Sequence, residues 1–481
     1  MNASALAPLS GRKRYIIACV IVALASFRLC HVNLLWADED YHLAAAINVL
    51  DGKVPYRDFW YDKPPLCAAF YLLNAGFSGW PLRLLDVCYV LLACWFAYRL
   101  ARSWWDPSEG WAAALLLAFF MTFYLPSTVI PFAADALMLV PHLAAVYAAF
   151  QKRALQAGFW CGIAFLFNAK GVVVLAVCLV WLFPEAVFVL LGFAVPTVAA
   201  LFAAWATGAL PGYWEQVWRW GLIYAKGSPV TNPVALGFKR TVDWLGFHAA
   251  LGLGAAFSFV RMPRGDRWKL ASWLAFSFIA VCIGTRFAPH YFLQLLPAMV
   301  IPASRGVILA WRQYRKAAFA IVSLLLVPLI RFGPRYAILA IDNIKHQQPQ
   351  WSDTVLDVDS RRAADAIRAL SRSGDTLFVW GYRPDMYVYT RMAPDGLFGD
   401  SQPLTGVPAD RHLRIETPIY SARAEANRKQ LARTKPTFIA DGLGLLNPKL
   451  VPAAYPELRP WLAQYRLVAR TRLTLIYRRS D

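Results

Sequence analysis

Charged side chains are scarce in this chain, at 16% of residues against 58% hydrophobic, and that scarcity excludes an ordinary soluble domain. Internal repeats, coiled-coil heptads and low-complexity tracts are also missing, which weakens a transporter built from two matching halves. Cysteine is absent from the polar C-terminal third: all eight (Cys19, Cys30, Cys67, Cys88, Cys94, Cys161, Cys178 and Cys282) lie in or beside apolar runs. That placement argues against a disulfide framework and against a zinc site. The first apolar run is too long for a signal-peptide core and lacks a small-residue cleavage site, so it reads as a retained helix. The net charge of +20 does not call for nucleic acid, because the basic residues collect in short loops between apolar spans.

What remains is hydrophobic sequence in long pieces. The runs 15–35, 82–100, 186–206, 270–285 and 317–330 are each near the length a helix needs to cross roughly 30 Å of hydrocarbon. Arg12, Lys13 and Arg14 hold the N-terminus in the cytoplasm. The loops with Arg99 and Arg102, with Lys152 and Arg153, and over 261–269 and 312–316 face the same side. The alternation gives about eleven spans, counting two short helices that flank 168–171, and puts the C-terminus outside. Segments 36–80, 124–132, 208–243 and 286–291 then share the outer face. From about Gly333 the sequence turns polar, with strand-like stretches at 376–380, 437–440 and 465–478 and helical ones at 359–371 and 421–434, the pattern of a small α/β domain. The expected fold is a polytopic α-helical membrane protein: a transmembrane unit over 1–332 and an extracytoplasmic α/β domain over 333–481.

Against this apolar background one loop stands out. Asp38-Glu39-Asp40-Tyr41-His42 follows the first span and is succeeded by Tyr56-Arg57-Asp58-Phe59 and Asp62-Lys63-Pro64-Pro65. Ionisable groups beside hydrocarbon are costly and mark a functional site by default. The plain alternative is a helix N-cap whose acids complement the macrodipole. Leu43, Ala46, Ile47 and Leu50 recur at helical spacing until Asp51-Gly52, which predicts a helix lying on the membrane surface. A second short helix is expected after Pro64-Pro65. The stretch 213–220 holds Trp214, Trp218 and Trp220, an interface belt or a surface for stacking on sugar. His142 and His248 have no second ligand at metal spacing and read as ordinary helix histidines.

Asp38-Glu39, then Pro55-Tyr56-Arg57-Asp58-Phe59 and Asp62-Lys63-Pro64-Pro65-Leu66, resemble the first periplasmic loop of bacterial GT-C superfamily membrane glycosyltransferases. The nearest groups are the dolichyl-phosphate-mannose protein mannosyltransferase-like enzymes and the lipid A aminoarabinose transferases. Phe167-Asn168-Ala169-Lys170, the run 289–297 and Trp380-Gly381-Tyr382-Arg383-Pro384 are similar to the same bacterial group. The resemblance departs at Gly171, where the group often carries Gln, and nothing here resembles the inserted β-trefoil domain of the eukaryotic protein mannosyltransferases.

The resemblance implies transfer of a hexosyl or pentosyl group from a polyprenyl-phosphate donor to a lipid, glycan or protein acceptor. The reaction would run at the outer face of the bacterial cytoplasmic membrane, among membrane lipids, as a single inverting displacement. Such chemistry needs a carboxylate base and cations on the leaving phosphate. The implied base is Asp38, with Glu39 as second choice. The implied phosphate ligands are Lys63, Arg286 and His290, backed by Arg83 and Lys170; Arg286 and His290 are expected one turn apart on a shared helix face. Tyr41, Tyr61, Asp62, Asp135 and Trp218 are expected to line the site. Asp38, Glu39, Asp40, Asp62 and Asp135 offer oxygen ligands for a divalent metal, yet no metal cofactor is expected, because Lys and Arg can neutralise the phosphate. A transporter or flippase of a lipid-linked sugar is the alternative, and a structural membrane protein working through its C-terminal domain is the third reading.

Overall fold

The structure, a computed structural model, describes residues 11–125, 131–227, 230–349, 351 and 354–480. Part of the expected outer segment 124–132, residues 126–130, and residues 228–229 of the segment 208–243 lie outside the described residues, as do the side chains of Arg12 and Lys13.

Helices dominate, and their ends are chemically marked. Asp106 caps the Pro107–Phe120 helix by accepting from Ser108 N at 2.6 Å, and Asn232 caps Pro233–Phe247 by accepting from Ala235 N at 3.0 Å. The helix after Pro64-Pro65 forms as expected, Pro65–Phe70 with Pro65 at its first position. Among the described residues, three helices are long and apolar enough to cross a membrane: Trp80–Trp104, Phe183–Ala206 and Arg315–Ile344. Pro233–Phe247 and Ala249–Arg261 pass that measure together but bend by 89°. The two short helices flanking 168–171, Ala154–Phe167 and Gly171–Trp181, form as expected.

Glycine lets these helices meet backbone to backbone. A Cβ on Gly158 would stand 1.9 Å from Val189 O, and one on Gly306 1.7 Å from Gly254 O. Small residues at the crossing are how helices associate where lipid removes the hydrophobic drive. Charge inside the bundle is paired: Arg28 with Asp86 at 3.2 Å, and Glu109 with Arg305.

The C-terminal region builds a four-stranded sheet in the order β1-β2-β4-β3, from β1 Leu377–Trp380, β2 Phe438–Asp441, β3 Tyr465–Arg470 and β4 Leu475–Arg479. β1 and β2 run parallel with Leu377 opposite Phe438, and β4 is antiparallel to both β2 and β3. The expected single strand over 465–478 is a hairpin, because Thr471 and Thr474 close a turn through Thr471 N to Thr474 O at 2.9 Å. Helices Val355–Leu370 and Ser421–Leu431 match the helical stretches read from sequence.

This region lies against the first outer loop. Lys53 Nζ donates to Pro394 O at 2.8 Å, Trp60 N to Leu397 O at 2.6 Å, and Leu35 N to Asp357 Oδ1 at 3.2 Å. Consequently the Glu39–Leu50 helix is covered by protein on more than its apolar face. Ten of its residues, Glu39 to Asn48, are buried, since the helix Asp385–Thr390 packs on the face that the sequence leaves polar.

Candidate active site

Asp38 stands where the chain enters the Glu39–Leu50 helix, with φ 78° and ψ −40°. A left-handed conformation at a residue with a Cβ costs on the order of 1–3 kcal/mol and persists only where the surroundings impose it. The N-cap reading fails here, because the Asp38 side chain makes no cap hydrogen bond. Half-buried, its carboxylate has no hydrogen bond or ion pair among the described residues.

Glu39 has the opposite environment. It is fully buried, paired with Arg83 through Oε1 at 2.9 Å and Oε2 at 3.0 Å, and accepts from Phe132 N at 2.7 Å. Arg83 spends its other donors on His31 O at 3.3 Å and Leu34 O at 2.7 Å. Two sequence expectations are corrected by this pair: Glu39 is not free to act as a base, and Arg83 is buried with its guanidinium committed to Glu39 and two backbone carbonyls, so it does not face a phosphate.

Asp62 and Lys63 sit on a braced turn. Lys63 Nζ is 3.3 Å from Asp62 Oδ1, Trp220 Nε1 donates to Asp62 Oδ2 at 3.1 Å, and Asp62 N donates to Tyr41 Oη at 3.0 Å. Tyr56 Oη donates to Lys63 O at 2.7 Å. Burial alone would push the Lys63 ammonium down, but Asp62 and Asp38 beside it outweigh that and hold it charged. Gln216 clasps the same turn from the other side, accepting from Tyr61 N and donating to Tyr56 O, both at 2.8 Å. Gln216 belongs to a π-helical turn, Trp214–Arg219, a rare geometry that re-aims side chains near functional sites.

Arg286 and His290 do not share a helix face. Thr285 and Phe287 take φ 55° and 48°, and the 3₁₀ helix starts only at Pro289, so the two side chains diverge. Arg286 pairs with Asp410, donates to Tyr224 O at 2.7 Å and lies 3.6 Å from the Tyr224 ring centre. His290 Nε2 is 3.8 Å from Asp135 Oδ2. Asp135 Oδ1 accepts from Asn168 and Gln294, each at 3.0 Å. Lys170 Nζ lies 3.0 Å from the Tyr291 ring centre and has no hydrogen-bond partner. Tyr224 joins these groups: burial, then Asp410, pushes its hydroxyl up to about 12 while Arg286 and Lys63 pull it down, and Asp38 also acts on it.

The aromatic lining differs from expectation in two places. Tyr41 stacks on Tyr61 at 5.3 Å, but Tyr61 is fully buried and bonded to His42 Nδ1 at 2.7 Å, so it supports the lining and is not part of it. Trp218 stacks on Phe165 at 5.6 Å, whereas the indole that reaches the acidic turn is that of Trp220. The remaining wall comes from the C-terminal region, where the sequence offered no site residue. Tyr382 lies 5.6 Å from Tyr41 and within the field of Asp38, Asp40 and Asp62. Asp400 is buried near Asp62 and Lys63, and burial is the main cause of its rise to about 7. Tyr382 lies in the Trp380-Gly381-Tyr382-Arg383-Pro384 stretch singled out in the sequence, whereas Gln216, Tyr224 and Asp400 carry no motif; only the aromatic density of 213–220 hinted at the first. Among the described residues no three His, Cys, Asp or Glu side chains come together as a metal-holding group.

The model of the dolichyl-phosphate-mannose-protein mannosyltransferase family matches residues 62–212, a stretch that includes Asp62, Lys63, Asp135 and Lys170. ArnT from Cupriavidus metallidurans in the apo state superposes with a TM-score of 0.64 at 14% identity, over 97% of this chain and 98% of that one. The chain has an ArnT-like GT-C fold. ArnT bound to undecaprenyl phosphate gives a TM-score of 0.57 at 14% identity, covering 96% and 97% of the two chains. The apo oligosaccharyltransferase of Archaeoglobus fulgidus gives 0.50 at 14% identity, over 95% of this chain and 73% of that one. No curated protein matches the sequence. The resemblance read from the sequence is thus met by the family model over residues 62–212 and by an ArnT-like fold along nearly the whole chain, with apolar helices long enough to cross a membrane.

Proposed function

We propose that this chain is a glycosyltransferase that moves a hexosyl or pentosyl group from a polyprenyl-phosphate donor to a lipid, glycan or protein acceptor at the outer face of the cytoplasmic membrane. The observation that carries this reading is the contrast at the first loop: Asp38 is unpaired and strained, while Lys63 is held charged beside it. In the displacement, the acceptor atom attacks the anomeric carbon as Asp38 takes its proton. The bond from that carbon to the phosphate oxygen breaks, and the electron pair leaves with the polyprenyl phosphate. One displacement inverts the anomeric centre. Lys63 and Arg286 face the charge that develops on the phosphate, with Lys170 and His290 behind them. These cations supply the neutralisation that a divalent metal would otherwise provide, so transfer is expected to survive a chelator.

The ArnT fold, one of whose structures is described as bound to undecaprenyl phosphate, supports a lipid-linked donor. The same reading has about eleven spans, the shorter apolar helices counted as crossings, with the apolar helix Arg315–Ile344 running past the expected boundary at 333 and the extracytoplasmic domain following it. The test is transfer by the purified full chain from a panel of polyprenyl-phosphate sugars. Asp38→Asn is expected to abolish sugar transfer and hydrolysis while donor binding is kept. Equal lipid binding without turnover by the wild type, across a panel that includes the host's own carriers, overturns the enzyme reading in favour of a carrier.

A further inference from the structure

On the far side of the Val355–Leu370 helix from the acidic loop is an open groove of about 690 Å³. Arg362, Arg472, Gln347 and Gln348 give it polar walls, and Val358 and Leu473 an apolar floor. The groove begins at Gln347, just past Ile344, the last residue of the apolar span Arg315–Ile344. Ile338, Ile341 and Ile344 recur every three residues along the end of that span and are 41%, 48% and 79% exposed, the surface of a helix that faces hydrocarbon. A cavity at the end of such a helix lies at the level of lipid headgroups.

Its charge fits that level. The Arg472 guanidinium has no hydrogen bond or ion pair among the described residues, and Arg362 donates only to the neutral Gln348 Oε1, at 2.8 Å. Among the described residues the one carboxylate that lines the groove, Asp359, is already spent: Oδ1 accepts from Leu473 N at 3.0 Å, and Oδ2 from Thr474 Oγ1 at 2.7 Å and Arg383 at 3.3 Å. Two guanidiniums line one open groove with no unpaired carboxylate among its described residues, a setting suited to phosphate oxygens. We propose that this groove binds the phosphate of an anionic membrane lipid, with the acyl chains running down the exposed isoleucines. This site is separate from the transfer reaction and does not depend on it.

Native mass spectrometry of the purified full chain, titrated with phosphatidylglycerol and with phosphatidylcholine, tests the site. The wild type is expected to retain phosphatidylglycerol preferentially. Arg362→Gln with Arg472→Gln is expected to weaken that retention at least about tenfold, and Arg362→Lys with Arg472→Lys to restore most of it, all with an unchanged thermal midpoint. Equal retention by the wild type and the Gln variant, or equal retention of the two lipids by the wild type, overturns the proposal. Millimolar inorganic phosphate that displaces the lipid completely makes free phosphate the occupant and overturns the lipid assignment, whereas lipid retained against it supports the headgroup.

Discussion

Asp38 and Glu39 are adjacent acids with opposite fates, and the difference follows from which of them finds a cation within the protein. Glu39 is enclosed by Arg83 and two backbone amides, Phe132 N and Trp36 N, so it joins the first loop to the Trp80–Trp104 helix and to the chain at Phe132. Removing one member of a buried pair strands the other charge, at a cost of about 3–5 kcal/mol. Arg83→Ala is therefore expected to lower the thermal midpoint of the detergent-solubilised protein steeply or to prevent its accumulation. Asp38→Asn, which breaks no contact, is expected to leave the midpoint within a degree or two. A stable Arg83→Ala protein with normal transfer would contradict the structural role assigned to that pair.

At the scale of elements, the π-helical turn Trp214–Arg219 and the tryptophan that follows it carry the Asp62-Lys63 turn. Trp220→Phe keeps the ring but removes the donor to Asp62 Oδ2, a hydrogen bond to a charged group worth about 1.5–3 kcal/mol. The expected result is a loss of about tenfold or more in kcat/KM for the lipid donor, with the chain still folded. Unchanged kinetics would mean that Lys63 is positioned without Trp220. Helix starts and the alternation of strand and helix were legible in the sequence, because caps, prolines and hydrophobic period are local signals. The hairpin closed by Thr471 and Thr474 was not, since the stretch lacks Gly or Asn to punctuate it. The burial of the Glu39–Leu50 helix was hidden for a different reason: its amphipathic pattern describes one apolar face, and the cover on its other face comes from Asp385–Thr390. Likewise the shared face of Arg286 and His290 assumed a continuous helix, which the positive φ angles at Thr285 and Phe287 interrupt. Of the candidate site, the acids and Lys63 were readable because charge is rare here; Gln216 and Tyr224 are ordinary residues whose role depends wholly on position.

For the whole molecule, the docking of the C-terminal region on the first loop is expected to depend on pH. Burial, opposed by Arg383, raises the Asp385 carboxyl to about 6, and burial raises Asp400 to about 7. Burial and then Asp385 likewise push Asp40 up across the same interface. A carboxyl whose pKa is raised by folding stabilises the fold fully below its ordinary value of about 3.9 and loses that contribution as pH rises through the folded value. The thermal midpoint is thus expected to fall between about pH 4 and pH 7, and Asp385→Asn with Asp400→Asn to flatten that fall. Midpoints of wild type and double variant measured across this range check it; identical slopes would place the dependence elsewhere.

The order in which the walls of the site are synthesised has a consequence for the life of the chain. Asp38 is synthesised long before Tyr382 and Asp400, which stand beside the same acidic loop. The site therefore lacks these two side chains until the C-terminal region has been made, and a chain cut short before Tyr382 keeps the acidic loop without that cover.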